Sequence, residues 1–560
     1  MHFRPLRAAF AGAVASALLG GCVTSPPASN TELTLLSIND FHGNIQPARP
    51  TPLMPRLPDA VTGEVKPQPA GGAAHLATAL AELQAKHPDA LIVAGGDLIG
   101  ASPLISNLLR DEPTLAAMSQ LGISASALGN HELDAGLPEL LRQTRGECGA
   151  NGCLWPGFQG PGFPYLGANV LDAKTGKPLL PTHVIKQAGK LKVAIAGVAT
   201  KDTPQVIVAK AIAGIRFADE ADTLNALVPQ LKAEGAQVLV AVMHEGGVQG
   251  PGASANDPSY TCPTLTGRVH DIATRLDPAY AVIIGGHTHQ AYTCKINGRL
   301  VVQAGSYGGW ITETHLKLDA SGRVVEASAV NHPVLQSVYA PNPKLAELVA
   351  RAAALTEAAR TKPVATLPRG AVRSAKDPNG DAALGNLIAD SQLAFARKQG
   401  TAADIAFMNP GGIRADLVVE AGRATTMSDL LAIQPFGNEL VALTLTGQQL
   451  WDVLQRQLPK AGAAPRMLQP SWTLHYRWRA GADGKPELGE ILIDGKPLER
   501  TRDYRIVVNN FLSEGGDEQA GFRHGRDRAV LGTDIDALVE LLRNQPQAVE
   551  RTSSGRIVRE

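Results

Sequence analysis

The sequence has no hydrophobic run long enough to cross a bilayer. It has no net charge either, since 52 basic residues balance 52 acidic ones. Without a basic surplus to neutralise a polyanion, composition points away from a polymeric nucleic acid as partner. A small anionic substrate stays compatible, because a site can be locally positive on a neutral protein. Cysteine is scarce, at five residues, and no CxxC pair occurs, which argues against thiolate zinc ligation. Internal repeats and extended low-complexity segments are missing as well. What is present is ordinary for a globular protein, 44% hydrophobic and 19% charged. The 560 residues exceed what one hydrophobic core organises, so two domains or more are expected.

The N-terminus reads as a targeting segment. Arg4 and Arg7 precede an apolar stretch, Ala8 to Leu19, that is too short to span a membrane. "LLGGC" then ends at Cys22, and small residues before a cysteine resemble a bacterial lipoprotein cleavage site. The expectation is a signal peptide over 1–21, lipidation of Cys22 and a Ser/Pro-rich tether over 22–30. Val23 carries no inner-membrane retention acid, so an outer-membrane or periplasm-facing lipoprotein is expected, touching the membrane only through its lipid. Four other cysteines remain, an even number suited to an oxidising compartment. Of three connectivities, Cys148–Cys153 across "CGANGC" and Cys262–Cys294 are favoured.

Short apolar runs alternate with helical spacing. "LTLLSIND", "ALIVAGGD", "KVAIAGV", "QVLVAVMHEGG" and "AVIIGGHTHQ" read as strands. "GGAAHLATALAELQAKH" reads as a helix, and the proline-rich stretch 47–70 as loop. This pattern predicts an α/β fold, with a layered catalytic domain over 31–340. A linker helix is expected within 341–363, followed by a smaller α/β domain over 364–560.

Ligands of such sheets bind beyond the carboxyl ends of the strands. Those ends carry Asp40, His42, Asp97, Asn130, His131, Asp134, His244, His287 and His289. Carboxylate, imidazole and amide oxygen together suit zinc, manganese or similar divalent ions. The groups are too many for one tetrahedral site and suit two adjacent metals that share a carboxylate. Such a pair can hold both the attacking and the leaving oxygen of a phosphoryl displacement. Single motifs such as D-x-H are weak. Five of them, each after its own apolar run, point to a metal centre. His75, His183, His270 and His475 lack a partnered motif and read as surface or satisfied core.

In the second half, "NPGGIR" (409–414) ends a strand with Asn409, two glycines and Arg414, whose planar fork suits phosphate or carboxylate. "QPFGNEL" puts Phe436 at a turn, and "NNFLSEGGDE" puts Phe511 in a loop ahead of Asp517. Two loop phenylalanines can sandwich a flat base, and an acid can bind ribose hydroxyls.

The order D-x-H, GGD, GNHExD, H, GHTH resembles the calcineurin-like metallophosphoesterases. With the later motifs, the chain resembles the bacterial 5'-nucleotidase family, which includes UDP-sugar hydrolases and 2',3'-cyclic phosphodiesterases. The resemblance implies an α/β/β/α catalytic domain. It also implies one divalent metal on Asp40, His42, Asp97 and His289. The other would sit on Asp97, Asn130, His244 and His287, with Asp97 bridging. His289 stands where some members carry Gln or Asn. His131 would meet the phosphate and protonate the leaving oxygen, Asp134 would orient it, and Glu132 would be structural. Phe436 and Phe511 would stack the base, with Asp517, Asn409, Arg414 and Arg373 as further substrate contacts. "SAKDPNGDAA" after Arg373 and "PSWTLHYRW" (470–478) depart from the family pattern. The implied activity is removal of phosphate from small nucleotides outside the cytoplasm, for nucleotide salvage. Cyclic nucleotides, UDP-sugars or NAD are sibling substrates. The paired phenylalanines argue against the thiosulfohydrolase branch. A non-catalytic nucleotide-binding lipoprotein would be expected to lose His131. Oligomeric state, monomer or higher, is left open.

Overall fold

Two six-stranded sheets carry the first half of the chain. The computed structural model describes residues 31–47, 55–58, 65–150, 152–250, 252–319, 323–368, 370–420, 422–459, 467–481, 484–551 and 555–560. The expected leader 1–21, Cys22 and the tether 22–30 lie outside the described residues.

The first sheet has the order Val324–Pro333, Trp310–Leu318, Thr31–Ile38, Leu91–Ala94, Ile123–Ala127, Tyr165–Leu166. The second has the order Ala291–Ile296, Arg299–Ala304, Tyr280–Ile284, Val238–His244, Leu191–Ala199, His183–Ala188. Their central strands are parallel, so carboxyl ends gather on one edge of each sheet. Both faces of these strands are buried, which is why the sequence shows continuous apolar runs rather than alternation. In Val238–His244, Val238, Val240 and Val242 face the other sheet, while Leu239, Ala241 and Met243 face helices. The helices Ala73–Lys86, Glu112–Ser119 and Pro343–Arg360 cover the first sheet; Glu220–Ala233 and Arg268–Arg275 cover the second. The result is the four-layer α/β/β/α arrangement.

The second half is built on a five-stranded sheet, Gln469–Pro470, Ile405–Met408, Asp503–Asn509, Glu439–Thr446, Arg526–Thr533. Helices Ala383–Lys398 and Asp534–Asn544 cover one face. Helix Gly447–Arg456 and a four-stranded sheet that includes Leu474–Ala480 and Pro486–Ile493 cover the other. Both expected disulfides, Cys148–Cys153 and Cys262–Cys294, are formed.

Two expectations, on 47–70 and on Phe511, need correction. The stretch 47–70 is not all loop: Arg56–Pro58 pairs with Val65–Pro67 as a small hairpin. The expected helix between the two halves is present as Pro343–Arg360, capped by Asn342. Its Leu345, Leu348 and Ala352 are buried in the core of the first half, so it belongs to that helical layer. Phe511 sits in a one-turn helix, Asn510–Ser513, rather than in a loop, because the Asn509 side chain caps the Leu512 N–H.

Candidate metal centre and cleft

Each motif follows a strand of the parallel cores, and the backbone there is unusual. Asp40, His42, Asp97, His287 and His289 all have positive φ, between 47° and 73°. Non-glycine residues rarely adopt this region, and clusters of them mark sites where structure imposes a conformation. The loops are knitted by backbone hydrogen bonds: Asp40 N–H to Gly96 O, His42 N–H to Asp97 O and Gly43 N–H to Leu98 O. Glu132 supports the arrangement from beneath. Its carboxylate accepts from the N–H groups of Asp97, Leu98 and Gly129 at 2.7–3.0 Å. Burial, and then the charge of Asp97, push the Glu132 carboxyl up to about 8. Gly129 is needed for close approach, since a Cβ there would lie 2.0 Å from Asp97 Oδ1.

The ligating atoms converge in two groups. Asp40, His42 and His289 form one, and Asp97, His244 and His287 form the other; within each, the atoms lie within 4.8 Å of one another. His42 Nε2 is 3.1 Å from His289 Nε2 and 3.9 Å from Asp40 Oδ1. Asn130 Oδ1 is 3.0 Å from both His244 Nε2 and His287 Nδ1. Asp97 stands between the groups. Its Oδ1 accepts the His131 N–H, while Oδ2 lies 3.0 Å from His244 Nε2 and 3.6 Å from His42 Nε2.

These residues fit a pair of divalent ions. His42 Nδ1 and His244 Nδ1 face the carbonyls of Gly100 and Gly95 at 2.9 and 2.8 Å. A carbonyl can only accept, so both Nδ1 atoms carry hydrogen and both Nε2 atoms face the site, where each offers a lone pair once it is deprotonated. In the ion-free protein the buried groups titrate against one another. Burial pushes Asp40 up to about 7. Burial also raises Asp97, but His244 and His131 outweigh it and hold this carboxyl well below the usual range. Burial lowers His244, yet Asp97 drives it up to about 10. Cations in place of those protons would relieve the same imbalance.

His131 is set apart from the ligands. Its Nδ1 lies 3.0 Å from both carboxylate oxygens of Asp134. Burial lowers its pKa, but Asp134 and then Asp97 outweigh this and raise it above the ordinary value.

One cleft of about 180 Å³ joins this centre to the second half of the chain. Its walls include Asp97, Asn130, His131, His287 and His289 on one side, and Asn409, Arg414, Phe436, Phe511 and Asp517 on the other. Asn409 donates to Asp517 Oδ2 at 2.8 Å, and its own oxygen accepts from Asn509. Phe436 stacks on the His131 ring at 5.6 Å between centroids, and the Arg414 guanidinium lies 5.8 Å from the Phe436 ring centre. Arg414 also reaches to 3.5 Å from His289 Nε2. Arg373 is not in the cleft. It is 60% exposed in its side chain and pairs with Asp416 at 2.9 Å, which draws it to the outer surface.

Sequence reading missed Val206, Ile207, Val208 and Asn438, which also line the cleft. "TPQVIV" carries no polar motif, so nothing local marked it. Tyr307 was missed as well; its ring packs edge-on to His289 at 5.4 Å, and its N–H donates to Asp40 O. Its place in the glycine-rich "GSYGG" was the one available signal.

Two facing sheets with carboxylate, imidazole and amide groups at their carboxyl ends define a metallophosphoesterase. The model for the calcineurin-like phosphoesterase matches residues 33–291, and that for the 5'-nucleotidase C-terminal domain matches 358–524. The chain belongs to the bacterial 5'-nucleotidase family. It is 28% identical to a 5'-nucleotidase of Vibrio cholerae, with 90% of this chain and 89% of that protein covered. It is 30% identical to the endonuclease YhcR of Bacillus subtilis, over 95% of this chain but only 41% of that protein's length. The solved 5'-nucleotidase precursor of Thermus thermophilus shares the fold, with a TM-score of 0.75, 24% identity, and 94% and 99% of the two chains covered.

Proposed function

We propose that the protein is a two-metal phosphohydrolase that releases phosphate from small nucleotides outside the cytoplasm. One observation carries this reading: a single cleft has metal-ligating groups on one wall and Phe436, Phe511 and Asp517 on the other. A phosphate at the ligand groups and a base between the walls would fill it. Asp40, His42, Asp97 and His289 would hold one ion, and Asp97, Asn130, His244 and His287 the other. The ions would supply Lewis acidity and an activated water at neutral pH. Arg414 beside His289 supports an anionic ligand there, since its guanidinium next to two cations needs an oxyanion between them. His131, kept protonated by Asp134, is placed to give its Nε2 proton to the leaving ester oxygen. Phe436 and Phe511 would stack the base, and Asp517 with Asn409 would bind the ribose. The two disulfides and the lipoprotein-like leader support an oxidising, extracytoplasmic location with a lipid anchor at Cys22. Among the described residues no helix is long and apolar enough to cross a membrane.

The test is phosphate release from AMP, ATP, UDP-glucose, NAD, 2',3'-cyclic AMP, a non-nucleotide monoester and single-stranded DNA, with and without chelator. Chelator-sensitive preference for AMP, lost in His131→Ala, is the expected result. Preference for the cyclic ester, UDP-glucose or NAD would move the substrate within the family. Cleavage of the polymer would favour the activity named for YhcR instead.

A further inference from the structure

A second histidine cluster lies away from the cleft, between the helical layer and the first sheet. His87 caps the C-terminal end of helix Ala73–Lys86. Glu313 and His315 project from one face of strand Trp310–Leu318, and His332 comes from the adjacent strand Val324–Pro333. None of the four lines the cleft.

The geometry converges on one carboxylate oxygen. Glu313 Oε1 lies 3.1 Å from His87 Nε2 and 3.3 Å from His315 Nε2. The three ligand atoms lie within 4.8 Å of one another. Ligand atoms on a tetrahedral zinc ion with bonds of roughly 2.0–2.1 Å stand about 3.3 Å apart, so these spacings suit one. The outer contacts set the orientation. His332 Nε2 holds the other carboxylate oxygen at 2.8 Å, leaving Oε1 for the two rings. Thr34 Oγ1 lies 3.2 Å from His315 Nδ1. A Thr34 hydroxyl that accepts from Nδ1 would leave the His315 Nε2 lone pair free to share a cation with Glu313 Oε1. The Glu313 side chain is only 11% exposed, whereas His87 and His315 are half-open to solvent. An adjoining groove lined by Thr34, His87, Asp89 and Lys190 leaves room for water as the remaining ligand.

We propose that His87, Glu313 and His315 form a third divalent-metal site, of the zinc type and separate from the catalytic pair, with His332 positioning the carboxylate. The ion clips a helix end to the sheet and acts on stability rather than on turnover. The site does not rest on the nucleotidase reading.

The test is equilibrium dialysis of the purified protein against zinc at pH 7, with bound metal counted per chain, alongside His315→Ala and Glu313→Gln. Each variant is expected to bind one zinc fewer than the parent. The parent is expected to gain a zinc-dependent rise in Tm that the variants lack, while AMP hydrolysis is unchanged in all three. His87→Gln, at a helix end, is the milder replacement should a strand variant fold poorly. Because the readout is a difference between parent and variant, it holds whether or not the catalytic centre fills. Equal zinc stoichiometry in parent and His87→Gln would overturn the proposal.

Discussion

The two walls of the cleft are built on different principles. The metal wall is rigid and redundant. Its side chains leave the ends of strands buried on both faces, and Asp40, His42, Asp97 and His244 are almost wholly shielded from water. Backbone hydrogen bonds and the Glu132 clamp fix its loops. The opposite wall is half-open: Phe436 sits on a turn, Phe511 on a single helical turn, and the Asp517 backbone is at φ 51°. Its groups touch the metal wall through few contacts, chiefly His131 on Phe436, Arg414 near His289, and Asp517 N–H to Gln205 O. In the proposed reading, reactivity is thus lodged in the more deeply buried wall and selectivity in the more open one.

The sharpest way to break this contrast is Asp97→Ala. With Asp97 shared between the two ions as proposed, the change would remove several kcal/mol of charge stabilisation, so activity should fall on the order of 10³-fold or more for every substrate. Metal analysis should show loss of bound ion; full activity would remove Asp97 from the centre. Next comes His131→Ala, expected to lower kcat by about 10²- to 10⁴-fold with metal content unchanged. Steady-state kinetics with a good leaving group, such as an aryl phosphate, should recover part of that loss.

On the other wall the effects are smaller and differ in kind. Phe436→Ala and Phe511→Ala should each cost about 1–3 kcal/mol of base stacking, seen as a raised KM and a weaker dependence on the base. A non-nucleotide monoester should be indifferent to both. Equal losses on nucleotide and simple ester would show that the rings are structural.

The smallest expected effect is a shift rather than a loss. Because Asp134 raises the His131 pKa, the ring keeps its proton above the ordinary histidine range and releases it as pH rises. Asp134→Asn should therefore move the alkaline limb of the kcat profile to lower pH, leaving the acid limb in place. An alkaline limb unmoved in Asp134→Asn would assign it to another group.

The same contrast explains what was readable in advance. The metal wall is written in short local motifs, because each ligand sits within a few residues of the strand that positions it. "IND", "GGD", "GNHELD", "MHEGG" and "GGHTHQ" all end strands, and their polar groups meet where parallel strands end together. Phe436 and Phe511 were legible for a related reason, as large rings in turn-like sequence. Nothing local indicated that Arg373 would pair with Asp416. Val206–Val208 were invisible, since an apolar segment looks the same whether it lines a cleft or fills a core, and Tyr307 was marked only by the glycines around it.

By itself the sequence determined the alternation of strands and helices, the chemistry of the metal-ligating groups and the two cysteine pairs. The first two depend on periodicity or on neighbours a few residues away, and Cys148–Cys153 on a separation of 5; Cys262–Cys294, 32 residues apart, was only the favoured one of the open pairings. Only the tertiary structure decided which groups share a volume. It merged two distant motif sets into one cleft, docked the linker helix onto the first half and paired Arg373 with Asp416. It also drew His87, Glu313, His315 and His332 together from two ends of the first half. Such convergence is set by sheet order and layer packing, and no local spacing along a chain encodes it.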